Sequence, residues 1–131
     1  MKGFIDMPKW KYKLLIKNTL DRPLKLDSLR IPYGKKEDVS ANIPAKSEGI
    51  CAVYSPAGKP VGLEFYATFS DVHKPDEDPY GSFTVYVDMP YWKHANKGTC
   101  TTTGIMKVDG FQKVPDGNHD FENSVIVTTT I

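Results

Sequence analysis

The run Val61–Phe69 (VGLEFYATF) puts an apolar side chain at every second position: Val61, Leu63, Phe65, Ala67 and Phe69, against Glu64, Tyr66 and Thr68. A period of two buries one face of a β-strand and leaves the other wet, which a helix cannot do. The pattern recurs along the chain. Trp10, Tyr12, Leu14 and Ile16 alternate with Lys9, Lys11, Lys13 and Lys17 nearby. Phe83, Val85 and Val87 alternate with Ser82, Thr84, Tyr86 and Asp88, and Val125, Val127 and Thr129 with Ser124, Ile126 and Thr128. No window of helical length carries a 3.6-residue period. The chain is therefore expected to be all-β.

Breaks in the alternation predict where strands end. Leu24 and Leu26 share one parity while Leu29 and Ile31 take the other, which predicts a bulge near Asp27–Ser28. Val39, Ala41 and Ile43 read as one short strand ending at Pro44. Ile50, Ala52 and Tyr54 lead through Ser-Pro-Ala-Gly-Lys at 55–59 into the Val61–Phe69 stripe, so residues 50–69 read as a β-hairpin. Ser70–Gly81 is acidic and twice interrupted by proline, and reads as a loop. Thr99–Thr103 reads as a strand and 107–122 as turn-rich. About eight or nine short strands separated by turn signals describe a two-sheet antiparallel β-sandwich or a barrel.

At 131 residues the chain is expected to form one domain, 1–131, able to bury a core without staples. Its net charge of +1 argues against a nucleic-acid binder, which needs a basic stripe. The early lysines read instead as the solvated face of a strand. No apolar run is long enough to cross a bilayer, and the N-terminus lacks the apolar core of a secretory signal. The expectation is a soluble protein, cytoplasmic until released. Cys51 and Cys100 sit inside strand-like runs and read as reduced, buried thiols rather than ligands.

Catalytic patterns are missing. His73, His94 and His119 lie in polar loops, outside any nucleophile-elbow or metalloprotease motif. Asp76, Glu77 and Asp78 are adjacent, whereas glycosidic hydrolysis needs two carboxyls across a cleft. Gly34-Lys35-Lys36 lacks the upstream glycine of a phosphate loop. No enzyme activity, metal or cofactor is expected.

What stands out instead is aromatic side chains beside basic ones: Tyr33 with Lys35, and Tyr91, Trp92, Lys93 and His94 directly after the strand-ending Pro90. Tyrosine and tryptophan combine an apolar body with a polar tip and favour membrane–water interfaces. An aromatic face takes a cationic headgroup and a lysine takes a phosphate oxygen, so the set suits a zwitterionic phospholipid headgroup. Trp10 also lies near basic residues, but it completes an apolar stripe and reads as core. A carbohydrate-binding, lectin-like module is the alternative, with aromatics stacking on sugars and Asp88, His94 and Asn96 bonding hydroxyls.

The same residues carry a family resemblance. Trp10 followed by Leu14, Leu15, Ile16 and Asn18, then Leu24, Leu26 and Leu29 leading to Tyr33-Gly34-Lys35, then Asp88-Met89-Pro90-Tyr91 and Asn96, follow one another in this order. The chain resembles the aegerolysins, whose opening strand begins with Trp and ends in Asn. Their aromatic-Gly-Lys triplet usually has Trp, and their later motif is Asp-Cys-Pro-Trp with Asn a few residues on. Tyr33, Met89 and Tyr91 are departures, and the acidic loop 70–81 stands where the family has a glycine-rich segment. The resemblance implies a β-sandwich similar to that of the actinoporins. It also implies a protein that binds membrane lipids, sphingolipids in particular, with a cytolytic or insecticidal role and a larger pore-forming partner. The expected lipid-binding residues are Tyr33, Lys35, Tyr91, Trp92, Lys93, His94 and Asn96.

Overall fold

The computed structural model describes residues 10–56, 61–72, 74–92 and 95–131. Among them are the strands β1 (Trp10–Asn18), β2 (Leu24–Tyr33), β3 (Lys35–Val39), β4 (Asn42–Ile43) and β5 (Glu48–Ser55). The second half supplies β6 (Leu63–Asp71), β7 (Ser82–Met89), β8 (Lys97–Thr102), β9 (Met106–Asp109) and β10 (Asp120–Thr129). They form two five-stranded sheets, ordered β3-β5-β1-β10-β9 and β4-β2-β6-β7-β8. The alternating apolar residues of both sheets meet in one core: Tyr12, Leu14 and Ile16 from the first sheet, Phe65, Phe69 and Phe83 from the second. Tyr12 packs on Phe65 at 5.6 Å between ring centroids, and Phe69 stacks on Phe83 at 5.3 Å. The architecture is the expected β-sandwich.

Pairing is antiparallel throughout except between β1 and β10, which run parallel at the centre of the first sheet. A parallel pair needs a long crossover. Here nearly the whole chain is that connection, so the ends of the fold close against each other.

Local details follow the sequence where a side chain dictates them. The phase slip in β2 is a register shift between Leu26 and Ser28, which leaves Asp27 as the extra residue of a bulge. Asn18 ends β1 by donating its amide to the carbonyls of Arg22, Ile43 and Pro44 and accepting from the Leu20 N–H. Pro90 stops β7 directly after Met89.

Two expected elements are different in the structure. Residues 50–69 are not a hairpin. β5 belongs to the first sheet and β6 to the second, and the chain crosses the sandwich between them. Alternation shows which face of a strand is buried, and a turn signal shows that the chain reverses. Neither shows whether the next strand pairs beside the last or faces it. The expected strand over Val39–Ile43 is split in the same way: β3 lies in the first sheet and β4 in the second. β3 is a polar edge strand, KKEDV, with no apolar stripe to announce it.

Gly34 makes another crossing, from β2 to β3, at φ 110°. A Cβ there would stand 2.8 Å from the Tyr54 carbonyl oxygen. Only glycine takes that dihedral and that approach without strain. The aromatic-Gly-Lys triplet is thus a corner of the sandwich.

Candidate functional site

One end of the second sheet opens into a cleft of about 660 Å³. Its floor is a single row across four strands, with Tyr33 opposite Glu64, Glu64 opposite Asp88, and Asp88 opposite Lys97. Pro90, Tyr91, Trp92 and Ala95 form one wall, with Val61, Gly62 and Leu63 behind them. Trp92 is 80% exposed and Tyr33 57% exposed, high values for such large side chains.

The wall stands on the core. Tyr91 is half-buried, tilted over Trp10 at 5.7 Å between centroids, and meets the edge of Trp92 at 4.7 Å. Trp10, 9% exposed, also packs against His119 at 4.8 Å. Four rings therefore run in contact from the buried start of β1 to the exposed Trp92. A Cβ on the buried Gly62 would collide with the Met89 carbonyl and stand 2.8 Å from the Tyr91 backbone nitrogen. The backbones before β6 and after β7 are pressed together there, which fixes the root of the wall.

Asn96 holds the far side of the loop. It is 3% exposed, and its amide donates to the carbonyls of Pro115 at 2.7 Å and Asn118 at 2.9 Å. Its backbone N–H donates to the Asp116 carboxylate, and that bond, with Lys113 adding to it, holds the Asp116 carboxyl below its usual range. The Asn96 side chain, expected as a ligand contact, is committed in the structure to the turn at 115–118 and anchors the loop.

Lys35, likewise expected as a ligand contact, stands apart from the cleft. The Gly34 corner carries it into the other sheet, where it pairs with Tyr54 and does not line the cleft. Tyr33, Tyr91 and Trp92 are the expected site residues that the structure brings together. Lys93 and His94 lie outside the described residues.

The sequence reading missed Glu64 and Lys97 and weighed Asp88 only as a sugar contact. No local signal marks them. They meet because the registers of β2, β6, β7 and β8 put them in one row. Glu64 accepts a hydrogen bond of 2.6 Å from the Tyr86 hydroxyl. Burial first, and then that bond, push the Tyr86 phenol well above its ordinary pKa. The cleft thus combines three aromatic side chains with two carboxylates and one lysine. Among the described residues no cluster of histidine, cysteine or acidic side chains has the makings of a metal site.

The fold has solved counterparts. IP-1A from Alcaligenes faecalis superposes with a TM-score of 0.70 at 14% identity, covering 93% of this chain and 92% of its own. The RahU protein, solved with a TRIS molecule, gives 0.65 at 13% identity over 92% and 95%. The lipid binding protein Nakanori gives 0.63 at 8% identity over 91% of this chain and 71% of its own. No family model matches the sequence, and no curated protein matches it either. At these identities the likeness is one of fold, an aegerolysin-like β-sandwich.

Proposed function

We propose that this protein binds a membrane lipid headgroup in the Tyr33–Trp92 cleft. The observation that carries the reading is Trp92: it stands 80% exposed at the rim of a cleft whose floor is charged. Leaving an indole in water is unfavourable, and a membrane interface accepts its apolar body and its N–H together. The cleft chemistry suits a zwitterionic headgroup. An ammonium fits among the Tyr33, Tyr91 and Trp92 rings and the Glu64 and Asp88 carboxylates, and a phosphate oxygen reaches Lys97. The fold shared with a protein described as lipid binding supports the same reading.

The finer proposal is a sphingolipid target and a cytolytic or insecticidal role alongside a larger pore-forming partner, with no catalytic step of its own. Its place of action is the surface of a target membrane. Co-sedimentation with vesicles of sphingomyelin and cholesterol, of ceramide phosphoethanolamine, and of phosphatidylcholine alone tests it. Binding to at least one sphingolipid mixture is expected. Folded protein that stays in the supernatant with every mixture would overturn the reading.

A further inference from the structure

The outer face of the second sheet is polar across its whole width. Registers arrange it as three rows across β2, β6, β7 and β8 and a fourth across β2, β6 and β7. The row at the cleft is Tyr33, Glu64, Asp88 and Lys97. Next come Arg30, Tyr66, Tyr86 and Thr99, then Ser28, Thr68, Thr84 and Thr101. Lys25, Ser70 and Ser82 follow, with Ser82 bonded to the Thr103 hydroxyl at 2.8 Å. No aliphatic side chain occurs in these rows. A sheet face that only had to be wet would be served by lysine and glutamate. This one is built of hydroxyls around two tyrosine rings.

The centre is ordered. The Tyr66 and Tyr86 rings lie 4.5 Å apart across the strands, and the Arg30 guanidinium sits 5.0 Å over Tyr66. Tyr86 donates to Glu64, and Thr68 shares a hydrogen bond of 2.9 Å with Thr84. Side chains held by each other lose little freedom when a ligand arrives. Aromatic rings stack on the C–H faces of a sugar ring. Hydroxyls, a carboxylate and a guanidinium in one plane bond the hydroxyls at its rim. Lys25, Arg30 and Lys97 stand against Glu64 and Asp88 on this face, so its charge is nearly balanced and fits a neutral ligand.

We propose that this face binds the neutral oligosaccharide of a membrane glycolipid. The choice of a lipid-borne sugar rests on the proposed lipid reading and on continuity, because the first row is both the cleft floor and the edge of this face. A glycolipid has no phosphate or ammonium for the cleft floor, so it shares only the Trp92 rim with the proposed headgroup site: with its lipid end at that rim, its sugars would lie along the Tyr66–Tyr86 row.

Phosphatidylcholine vesicles carrying ceramide, glucosylceramide, lactosylceramide or globoside, compared by co-sedimentation, test the proposal. At least one glycolipid should raise affinity over ceramide by about tenfold, and free lactose or the free globoside oligosaccharide should compete. Arg30→Gln, Tyr86→Phe and Tyr66→Ala should remove that gain, with melting temperatures recorded for each. The two conservative variants keep the test valid if Tyr66→Ala does not fold. Trp92-dependent binding to sphingolipid vesicles without any gain from a sugar would overturn this inference and leave the lipid reading standing. Binding to glycolipid vesicles that needs Arg30 but not Trp92 would support the face and overturn the cleft. No binding to any vesicle by folded protein would overturn both.

Discussion

The ring of Tyr91 rests on that of Trp10 at 5.7 Å between centroids and an interplanar angle of 49°. The loop aromatic nearest the exposed rim is thus supported by a core tryptophan on the other sheet. The contact divides the tryptophans into two kinds. Trp10 is core, and its replacement by alanine should cost about 3–5 kcal/mol of stability. Trp92→Ala should leave the melting temperature within a degree or two, because little of the side chain is buried. It should weaken vesicle binding by about 1–2 kcal/mol, roughly five- to thirtyfold. Thermal melts and co-sedimentation on both variants check the split. A Trp92→Ala protein that unfolds would place this residue in the core.

Asn96 separates a structural from a contact role in a second way. Its amide satisfies two carbonyls of the 115–118 turn. Asn96→Ala leaves those carbonyls without a donor, at a cost of about 1–3 kcal/mol. Denaturant melts should show that loss without any ligand present. Asn96→Ala with unchanged stability and lost lipid binding would return the residue to the surface.

Much of this was legible in the sequence and some was not, for identifiable reasons. Strand faces were readable because burial enforces a period of two, as in Trp10 to Ile16, where every second residue is buried. The β2 bulge was readable because it reverses that phase. Strand partners were not readable, since nothing local distinguishes a hairpin from a crossing at 55–63. The cleft was therefore half visible. Tyr33, Tyr91 and Trp92 announce themselves as aromatics beside a Gly or Pro break. Glu64 and Lys97 join them only through the register of four strands. Met89 shows why a motif departure need not touch the site, because it is fully buried and fills core space where the resembling family has cysteine.

Cys51 should be inert in the native protein because it is buried, and Cys100, half-buried on the edge strand β8, should react slowly. Burial pushes Cys51 up to about 12 and Cys100 up to about 11, so almost no thiolate exists near neutral pH. Iodoacetamide at pH 8 should leave Cys51 unmodified in native protein, modify Cys100 slowly, and alkylate both rapidly in denaturant, as read by mass spectrometry. Raised thiol pKa values also set the direction of alkaline sensitivity. The unfolded thiols ionise near pH 8.5 and the folded ones later, so this contribution to stability is complete below about pH 8.5 and drains above it. Rapid alkylation of Cys51 in native protein would contradict its burial.

Acid should act through Asp71, at the end of the sandwich that holds the acidic loop. Its side chain is inaccessible, and burial alone would raise its pKa. The N–H groups of Tyr80 and Gly81 and the Arg22 guanidinium at 2.9 Å outweigh burial and hold the carboxyl below its usual range. Arg22 also stacks on Tyr80 at 3.7 Å and donates to the Asp78 carbonyl, so the Asp71–Arg22 pair ties Asp78, Tyr80 and Gly81 to the sandwich. A group that binds fewer protons folded than unfolded adds stability that is complete above its unfolded pKa, about 4, and is lost as pH falls through the folded value. Stability measured by urea melts should therefore fall from about pH 4 downward. Asp71→Asn should destabilise the protein at pH 7, where the carboxylate is missing, and flatten the decline below pH ~4. An Asp71→Asn protein with the wild-type acid profile would show that other carboxylates carry the effect.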